Sequence, residues 1–429
     1  MRVIAVKSVI SRAALIPAAI AVLSAVSSEA AVDDTINVSS PDRIVYVPVQ
    51  PKGKKNMDPR KLGDSYNDHF QVLYDHGRRQ YYAFWTQASW EGAGDHHICF
   101  AKSKDGKSWS KPDILAGSRC RSIRGFDASW QQPMLSKSGR LYCLWNQVIR
   151  PGKSKGEALC GFYSDDGGDT WSEPRFVPVA GTVHDKSCVR FRLPWINWQR
   201  PLRLLEDGKF AVAASMYGKG RVVCLWRFEN IDDNPEIADV KITVNSRSND
   251  LCVARMAEKD VFHPGDGRDA LEEGSMVKLP DGRLFMLMRT STGHPAWSVS
   301  SDVGRTWSDP KHLRDSTGRA YLQPRSPCPI YDYNGCESGS GVYFAMIHDT
   351  FDFEKKNTAY QNRGPVYIIW GEYDPNGEQP IKFTEKRMLN PRTISWNSYY
   401  TSYTVVNGER ILWYPDGKHY LLGKIITRP

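Results

Sequence analysis

The chain has 429 residues, of which 34 are Gly, 26 Pro, 14 Trp and 20 Tyr, and 24% are charged. This aromatic content with moderate charge excludes a disordered chain, and a single long apolar run excludes a polytopic membrane protein. Richness in Gly, Pro and Trp favours short strands over long helices. The net charge of +9 indicates solubility or attraction of anionic substrates such as acidic sugars, since no nucleic-acid-binding module occurs.

The first thirty residues have the pattern of a secretory signal peptide. Three basic residues, Arg2, Lys7 and Arg12, precede an apolar stretch at Ala13–Val26. Small residues follow as far as Ala30. A retained N-terminal anchor is the alternative, but the apolar run is short for a bilayer span. We therefore expect a signal peptide at residues 1–30, a linker at 31–41, and a secreted or periplasmic mature chain without a membrane span.

All nine cysteines follow this segment, and they form neither a CxxC pair nor a cluster with His. We therefore expect no structural metal and no cofactor. An odd number of cysteines leaves at least one thiol outside any intramolecular disulfide. We expect a monomer with no nucleic-acid partner.

A short turn pattern recurs three times along the chain. It reads SKDGKSW at Ser103–Trp109, SDDGGDTW at Ser164–Trp171 and SSDVGRTW at Ser300–Trp307. Asp accepts backbone N–H bonds in a tight turn, Gly takes the positive φ that the turn requires, and Trp buries a large area between neighbouring units. We interpret these Ser–Asp–Trp turns as structural, and we expect them on the outer rim of the fold rather than at a site.

The spacing of the turns gives the number of repeats. Trp109 and Trp171 are 62 residues apart, and Trp171 and Trp307 are 136 apart, which is two units of 68. Hairpins with D-G, S-G or N-G turns fill the units. Candidate inner strands begin near six positions: His69, Gln132, Arg200, Glu273, Pro324 and Tyr400.

Six four-stranded units around a channel predict an all-β fold, a six-bladed β-propeller spanning residues 42–429. The N-terminal segment Arg43–Pro48 is expected to complete the last blade. Polar residues at equivalent inner-strand positions need partners or water. We therefore expect His69, Gln132, Arg200 and Glu273 to share one polar channel mouth.

The segment EGSMVKLPDGRLFMLMR at Glu273–Arg289, together with the Ser–Asp–Trp turns, resembles the sialidase (neuraminidase) superfamily, whose BNR repeats contain such Asp-box turns. The resemblance extends over most of the mature chain at the level of fold. It implies a retaining exo-glycosidase that acts on a glycan or oligosaccharide. In such an enzyme a Tyr, activated by a Glu, attacks a terminal and acidic sugar while arginines hold the carboxylate. Glu273 fits the activating Glu, and Arg289 fits the second arginine.

The same resemblance implies the remaining site residues. Arg363 fits the third arginine, with His348 upstream of it, and Tyr400 fits the nucleophile. Tyr399 and Tyr403 are close competitors for that role. Two carboxylates ahead of the first Ser–Asp–Trp turn are candidates for the acid/base residue: Glu91 and Asp95.

The chain departs from the family at the first arginine, which sialidases place in an F/Y-R-I-P motif that opens the first blade. Here that strand reads NDHFQVLYDHG, with His69 near the place of the arginine. The segment RFRLPW at Arg190–Trp195 looks similar, but it comes after the second turn and we interpret it as a coincidence. Arg200 or His69 is then expected to supply the missing arm, with Gln132 also lining the substrate site.

Two other functions remain open from the sequence. The first is a propeller-type polysaccharide lyase acting on uronates, with His69 and Tyr217 as an acid–base pair and Arg200 and Arg221 neutralising the carboxylate. The second is a carbohydrate-binding propeller without catalysis, which predicts no cluster of Glu, Tyr and Arg at one channel mouth.

Overall fold

The computed structural model describes residues 40–51, 62–118, 126–150, 156–179, 196–218, 220–244, 255–256, 270–355, 361–391 and 399–428. These residues belong to one compact unit, 35–429. The expected signal peptide and all but the last two residues of the expected linker lie outside the described ranges. Within those ranges, no helix is long and apolar enough to cross a membrane.

The strands are arranged as six antiparallel sheets of four. After strand β1 (Arg43–Tyr46), the first blade contains β2 (Tyr66–Asp75), β3 (Gln80–Ala88), β4 (His97–Ser103) and β5 (Asp113–Gly117). The second contains β6 (Ala128–Leu135), β7 (Leu141–Arg150), β8 (Gly156–Ser164) and β9 (Arg175–Phe176). The third contains β10 (Ile196–Trp198), β11 (Phe210–Gly218), β12 (Gly220–Phe228) and β13 (Ile242–Val244), with short 3-10 helices at Ile231–Asp233 and Ile237–Asp239.

The second half of the chain continues the same arrangement. The fourth blade contains β14 (Leu271–Lys278), β15 (Leu284–Thr290), β16 (Ala296–Ser300) and β17 (Lys311–His312). The fifth contains β18 (Ile330–Asp332), β19 (Val342–Ile347), β20 (Val366–Tyr373) and β21 (Ile381–Asn390). The sixth contains β22 (Ser402–Val406), β23 (Glu409–Asp416) and β24 (Tyr420–Ile425). The six-bladed β-propeller predicted from the sequence is therefore confirmed.

The N-terminal strand completes the sixth blade, as the sequence predicts. Strand β1 pairs with β24, so that the order of the sheet is β1-β24-β23-β22 and Arg43 lies opposite Gly423. The Arg43 guanidinium also donates to Glu409 on β23. Joining the two ends of the chain in one sheet closes the ring, which holds the first and last blades in fixed positions.

The Ser–Asp–Trp turns connect the third and fourth strands of the first, second and fourth blades, and they lie on the outer rim as expected. In the second blade, Asp166 accepts hydrogen bonds from the backbone N–H groups of Asp169 and Thr170 at 3.0 and 2.9 Å. Trp171 packs edge-on against Phe100 of the first blade and Phe162 of the second. Each such Trp therefore fills the space between neighbouring sheets.

Three inner strands carry a β-bulge near the start, at the same end of the channel. The register shifts after Asp68 in β2, after Ser129 in β6 and after Glu272 in β14. The next residue has a positive φ in each strand: 53° for His69, 59° for Trp130 and 52° for Glu273. Such a backbone costs about 1–3 kcal/mol for a residue other than Gly and is typical of functional sites.

These bulges correct one expectation from the sequence. Gln132 was expected to occupy the position equivalent to His69 and Glu273, but the register places Trp130 there, two residues earlier. The extra residue in each bulge shifts the alternation of side chains, and strand periodicity alone cannot locate it.

Candidate active site

The first strands of the blades surround the channel, and the bulged ends of β2 and β14 meet the start of β22 at one mouth. Tyr400 lies just before β22, and its backbone carbonyl accepts a hydrogen bond from Phe70 N at 3.2 Å. Its hydroxyl donates to Glu273 Oε1 at 2.7 Å. Arg289 Nη1 donates to both carboxylate oxygens of Glu273 at 2.8 Å and lies 3.3 Å from the Tyr400 hydroxyl.

A second layer of contacts fixes Glu273 and Arg289. Asn197 Nδ2 donates to Glu273 Oε1 at 3.2 Å, and the Glu273 backbone N–H donates to Ser215 Oγ at 2.5 Å. Arg289 lies opposite Glu272 in the β14–β15 pairing, with its Nε 3.4 Å from Glu272 Oε2. A guanidinium held by two neighbouring carboxylates has little freedom to rotate.

Glu272 has a partner of its own in the segment that leads into the fifth blade. Arg325 donates to both Glu272 oxygens at 3.0 and 2.8 Å, and the Glu272 carboxylate is fully buried. This bidentate pair satisfies a charge that would otherwise be costly to bury. It also links the fourth and fifth blades next to the catalytic candidates.

Burial and charge keep Tyr400 protonated in the unliganded protein. Burial raises the pKa of the Tyr400 phenol well above its ordinary value, the charge of Glu273 raises it further, and Arg289 opposes both effects. The phenol therefore needs a base at hydrogen-bond distance in order to act as a nucleophile. Glu273 is in the position to be that base.

The competing tyrosines lie nearby, but they use their hydroxyl groups elsewhere. Tyr399 Oη accepts a hydrogen bond from Asn390 Nδ2 at 2.6 Å, and Tyr403 Oη donates to the Tyr333 carbonyl at 2.9 Å. Tyr400 alone among the three contacts Glu273 within the described part of the chain.

Two aromatic rings pack beside Tyr400. His69 stacks on Trp130 with ring centroids 3.8 Å apart, and both rings meet Tyr400 edge-on at 4.7 and 4.9 Å. Burial lowers the pKa of His69 well below its ordinary value, and the charge of Lys418 lowers it further. His69 therefore lies at the site as a neutral ring, and it does not supply the missing positive charge.

Arg363 brings a second guanidinium to the same place. Only 8% of Arg363 is exposed, its Nε has no hydrogen-bond partner, and it forms no ion pair with the described residues. Burial lowers the pKa of Arg363, and the charge of Arg289 lowers it further, while Tyr400, Glu91 and Glu273 oppose these effects. A buried cation without an ion pair is costly to the folded protein, and a bound anion would offset that cost.

His348 lies next to Arg363 and stays neutral. Its Nε2 is 3.0 Å from Ser326 Oγ. Burial, and after it the charge of Arg363, lower the pKa of His348 to about 3. A neutral ring at this position adds no charge to the anion site.

Of the two acid/base candidates, the structure brings only Glu91 to the cluster. Glu91 accepts a hydrogen bond from Lys418 Nζ at 2.8 Å, and its pKa is lowered mainly by Lys418 and also by Arg363 and Arg289. Asp95 instead accepts hydrogen bonds from Ser89 Oγ at 2.6 Å and from Gly63 N at 3.0 Å. Its carboxylate therefore fixes a loop.

Two other expected site residues lie deeper in the channel or at its opposite end. Gln132 Nε2 is 3.4 Å from the Trp198 carbonyl in the channel wall. Arg200 donates to the Val72 carbonyl at 2.7 Å and lines a cavity of about 540 Å³ together with later residues of the inner strands, including Leu135. Each inner strand runs from the mouth that holds Glu273 to the opposite mouth, and Arg200 follows the end of β10. Arg200 therefore does not replace the missing arginine.

The family model described as a BNR repeat-like domain matches residues 79–323, which is more than half of the chain. The chain belongs to the BNR repeat-like family. No curated protein matches the sequence of this BNR repeat protein.

Solved structures share its fold at low sequence identity. A Hadza microbial sialidase, Hz136, is 14% identical with a TM-score of 0.59 over 85% of this chain and 66% of that one. The NanB sialidase of Streptococcus pneumoniae is 12% identical with a TM-score of 0.57 over 91% and 70%. The intramolecular trans-sialidase of Ruminococcus gnavus, in complex with oseltamivir carboxylate, is 14% identical with a TM-score of 0.56 over 86% and 97%.

The likeness establishes the sialidase fold, and the BNR repeat protein covers slightly less than two thirds of the length of Hz136. A shared fold does not establish an activity, which depends on the residues of the site. Within the described residues no group of His, Cys, Asp and Glu could hold a metal ion. Arg190, and the side chains of Tyr217 and Arg221 that the lyase alternative requires, lie outside what the structure describes.

Sequence reasoning missed three residues of the cluster: Trp130, Asp68 and Lys418. Asp68 directly precedes His69, a residue that was already expected at the site from the sequence. Burial raises the pKa of Asp68 to about 6, although Lys418 opposes the shift from 3.3 Å. Lys418 follows the P-D-G turn of the last hairpin, where a lysine gives no signal beyond a solvated turn.

Proposed function

We propose that this BNR repeat protein is an exported glycoside hydrolase that removes a terminal, carboxylate-bearing sugar with retention of configuration. The observation that carries the proposal is the contact of Tyr400 with Glu273, bridged by Arg289. Arg363 next to it forms no ion pair with the described residues, which supports an anionic substrate, because a bound carboxylate would add to the compensation that Glu91 and Glu273 provide from a distance.

In the first step, the Tyr400 oxygen forms a bond to the anomeric carbon while Glu273 accepts the phenol proton. The glycosidic bond breaks, and the leaving oxygen takes a proton from Glu91. Arg289, 3.3 Å from the Tyr400 hydroxyl, stabilises negative charge that develops on the phenol oxygen. A neutral phenol as the attacking group, in place of a carboxylate, suits a substrate that is itself anionic, because two negative groups would repel each other.

In the second step, water attacks the anomeric carbon and gives a proton to Glu91. The bond to Tyr400 breaks, and Glu273 returns its proton to the phenol oxygen. Each residue thus ends in its starting protonation state. Since Lys418 lowers the pKa of Glu91, proton donation by Glu91 depends on a change in that ion pair when substrate binds.

The proposal is tested with a fluorogenic aryl glycoside of sialic acid as substrate. We expect turnover by the wild type and loss of turnover in Tyr400→Phe and Glu273→Gln, with the product released in the configuration of the substrate. Tyr403→Phe is the matched control, because its hydroxyl bonds to Tyr333 rather than to the site. Retention of activity in both Tyr400→Phe and Glu273→Gln would contradict the mechanism. A product that absorbs ultraviolet light, formed from a uronate polysaccharide, would favour the lyase alternative.

A further inference from the structure

Lys418 is a buried cation shared between two carboxylates at the mouth of the channel. It lies in the turn between β23 and β24, and 8% of its side chain is exposed. Its Nζ is 3.3 Å from Asp68 Oδ2 and 2.8 Å from Glu91 Oε2. It also lies 5.6 Å from the centre of the Tyr66 ring, so that its position is fixed from several sides.

The two carboxylates that hold Lys418 differ in exposure. Asp68 is fully buried in the bulge of β2, whereas 56% of the Glu91 side chain is exposed. Glu91 lies on the loop between β3 and β4, where Gly92 and Gly94 have positive φ and open space around them. The pair with Asp68 is thus the buried one of the two. In the pair with Glu91 the carboxylate is the exposed partner, so Glu91 can move into solvent without leaving a buried, unpaired carboxylate behind.

The Glu91 carboxylate also lies within the field of both arginines of the cluster. The pKa of Glu91 is lowered mainly by Lys418, and Arg363 and Arg289 lower it further. Tyr400 and His69, which also lie at this mouth, are neutral, whereas the carboxylates of Glu273 and Asp68 are held by Arg289 and Lys418. Three cations therefore act on one carboxylate that approaches from the solvent side.

We infer that Lys418 is a third cation of the substrate site, and that the carboxylate of the substrate displaces Glu91 from it. The inference rests on the proposed function and specifies its substrate as a sugar with a carboxylate. One ion pair replaces another, so the exchange avoids the cost of exposing a buried charge. Release from Lys418 also removes the largest of the influences that lower the pKa of Glu91, which favours the protonated form that the proposed first step requires.

Binding of sialic acid and its methyl ester, measured by calorimetry, tests this inference separately from turnover. Lys418→Met should weaken binding of the acid by about tenfold or more, the range of one charge-assisted hydrogen bond, and change binding of the ester by less than about twofold. Lys418→Arg should bind the acid nearly as well as the wild type. Glu91→Gln should bind the acid more tightly, because the internal competitor for Lys418 is gone.

The two variants thus shift the affinity in opposite directions, and Glu91→Gln keeps the test valid if Lys418→Met does not fold. Equal weakening of acid and ester in Lys418→Met, or weaker binding of the acid in Glu91→Gln, would overturn the inference. Acid binding with these shifts but no turnover would refute the proposed hydrolase and support the anion site. Turnover by the wild type with unchanged binding in both variants would support the hydrolase and refute the role of Lys418.

Discussion

The hydroxyl of Tyr400 donates to Glu273 Oε1 at 2.7 Å, although the two residues are 127 positions apart in the chain. Tyr400 precedes the inner strand of the sixth blade, and Glu273 lies in the bulge of the fourth. Both inner strands begin at the same mouth of the channel. The contact therefore depends on closure of the ring, to which the pairing of β1 with β24 contributes directly.

Removing the charge of Glu273 should affect the chemical step more than binding. Glu273→Gln leaves Tyr400 with an amide oxygen in place of the base, so kcat should fall by about 10²–10⁴-fold with a small change in KM. Steady-state kinetics on the aryl sialoside checks this. A rise in KM at constant kcat would show instead that Glu273 only helps to bind the substrate.

Arg363 should contribute to substrate binding at a cost to the unliganded protein. Arg363→Met removes a buried guanidinium without a carboxylate partner, so it should raise the free energy of unfolding by about 1–3 kcal/mol. The same change should raise KM for an anionic sugar by about tenfold or more. Thermal unfolding and kinetics on one preparation measure both effects. A lower free energy of unfolding in Arg363→Met would show instead that groups within the protein already compensate the charge of Arg363.

His348 should make the protein less stable as the pH falls. Its pKa is about 3 in the folded protein, and the unfolded chain takes up the proton near pH 6.5. The unfolded state therefore binds more protons between these values. The stabilisation is complete above about pH 6.5 and is lost progressively as the pH falls toward 3.

Thermal unfolding of wild type and His348→Gln between pH 7 and about pH 4.5 tests this dependence. We expect the wild type to lose more stability over this interval than the variant does. Some slope should remain in His348→Gln, because burial also lowers the pKa of His97, to about 4. Parallel slopes in the two proteins would show that His348 does not contribute.

The Ser–Asp–Trp turns should affect stability and leave catalysis unchanged. Asp166 accepts four hydrogen bonds within its turn, from Ser164 Oγ, Asp169 N, Thr170 N and Thr170 Oγ1. Asp166→Ala should lower the free energy of unfolding by about 1–2 kcal/mol, because the turn is exposed and its bonds compete with water. Denaturant unfolding measures the loss, and kcat should stay at the wild-type value. Asp302→Ala, in the equivalent turn of the fourth blade, is the matched control and should behave alike.

Much of the fold could be predicted because its signals are local. The Ser–Asp–Trp turns depend on hydrogen bonds among neighbouring residues, and hairpins at D-G and N-G turns depend on the few residues that accept a positive φ. Their spacing gives the six blades. Glu273, Arg289, Arg363 and Tyr400 were found through a resemblance to a family, and composition alone would not have distinguished Tyr400 from Tyr399 or Tyr403.

The charge arrangement at the mouth was decided by the tertiary structure. Arg200 and His69 were expected to supply a missing cation, yet Arg200 lies at the opposite end of the channel and His69 is neutral, while Lys418 enters from the last hairpin. Turn chemistry and periodicity act between residues close in sequence, so the blades and the turns could be predicted from the amino-acid sequence. Which side chains meet at the mouth depends on the bulges and on closure of the ring, because these fix distances between residues that lie far apart along the chain.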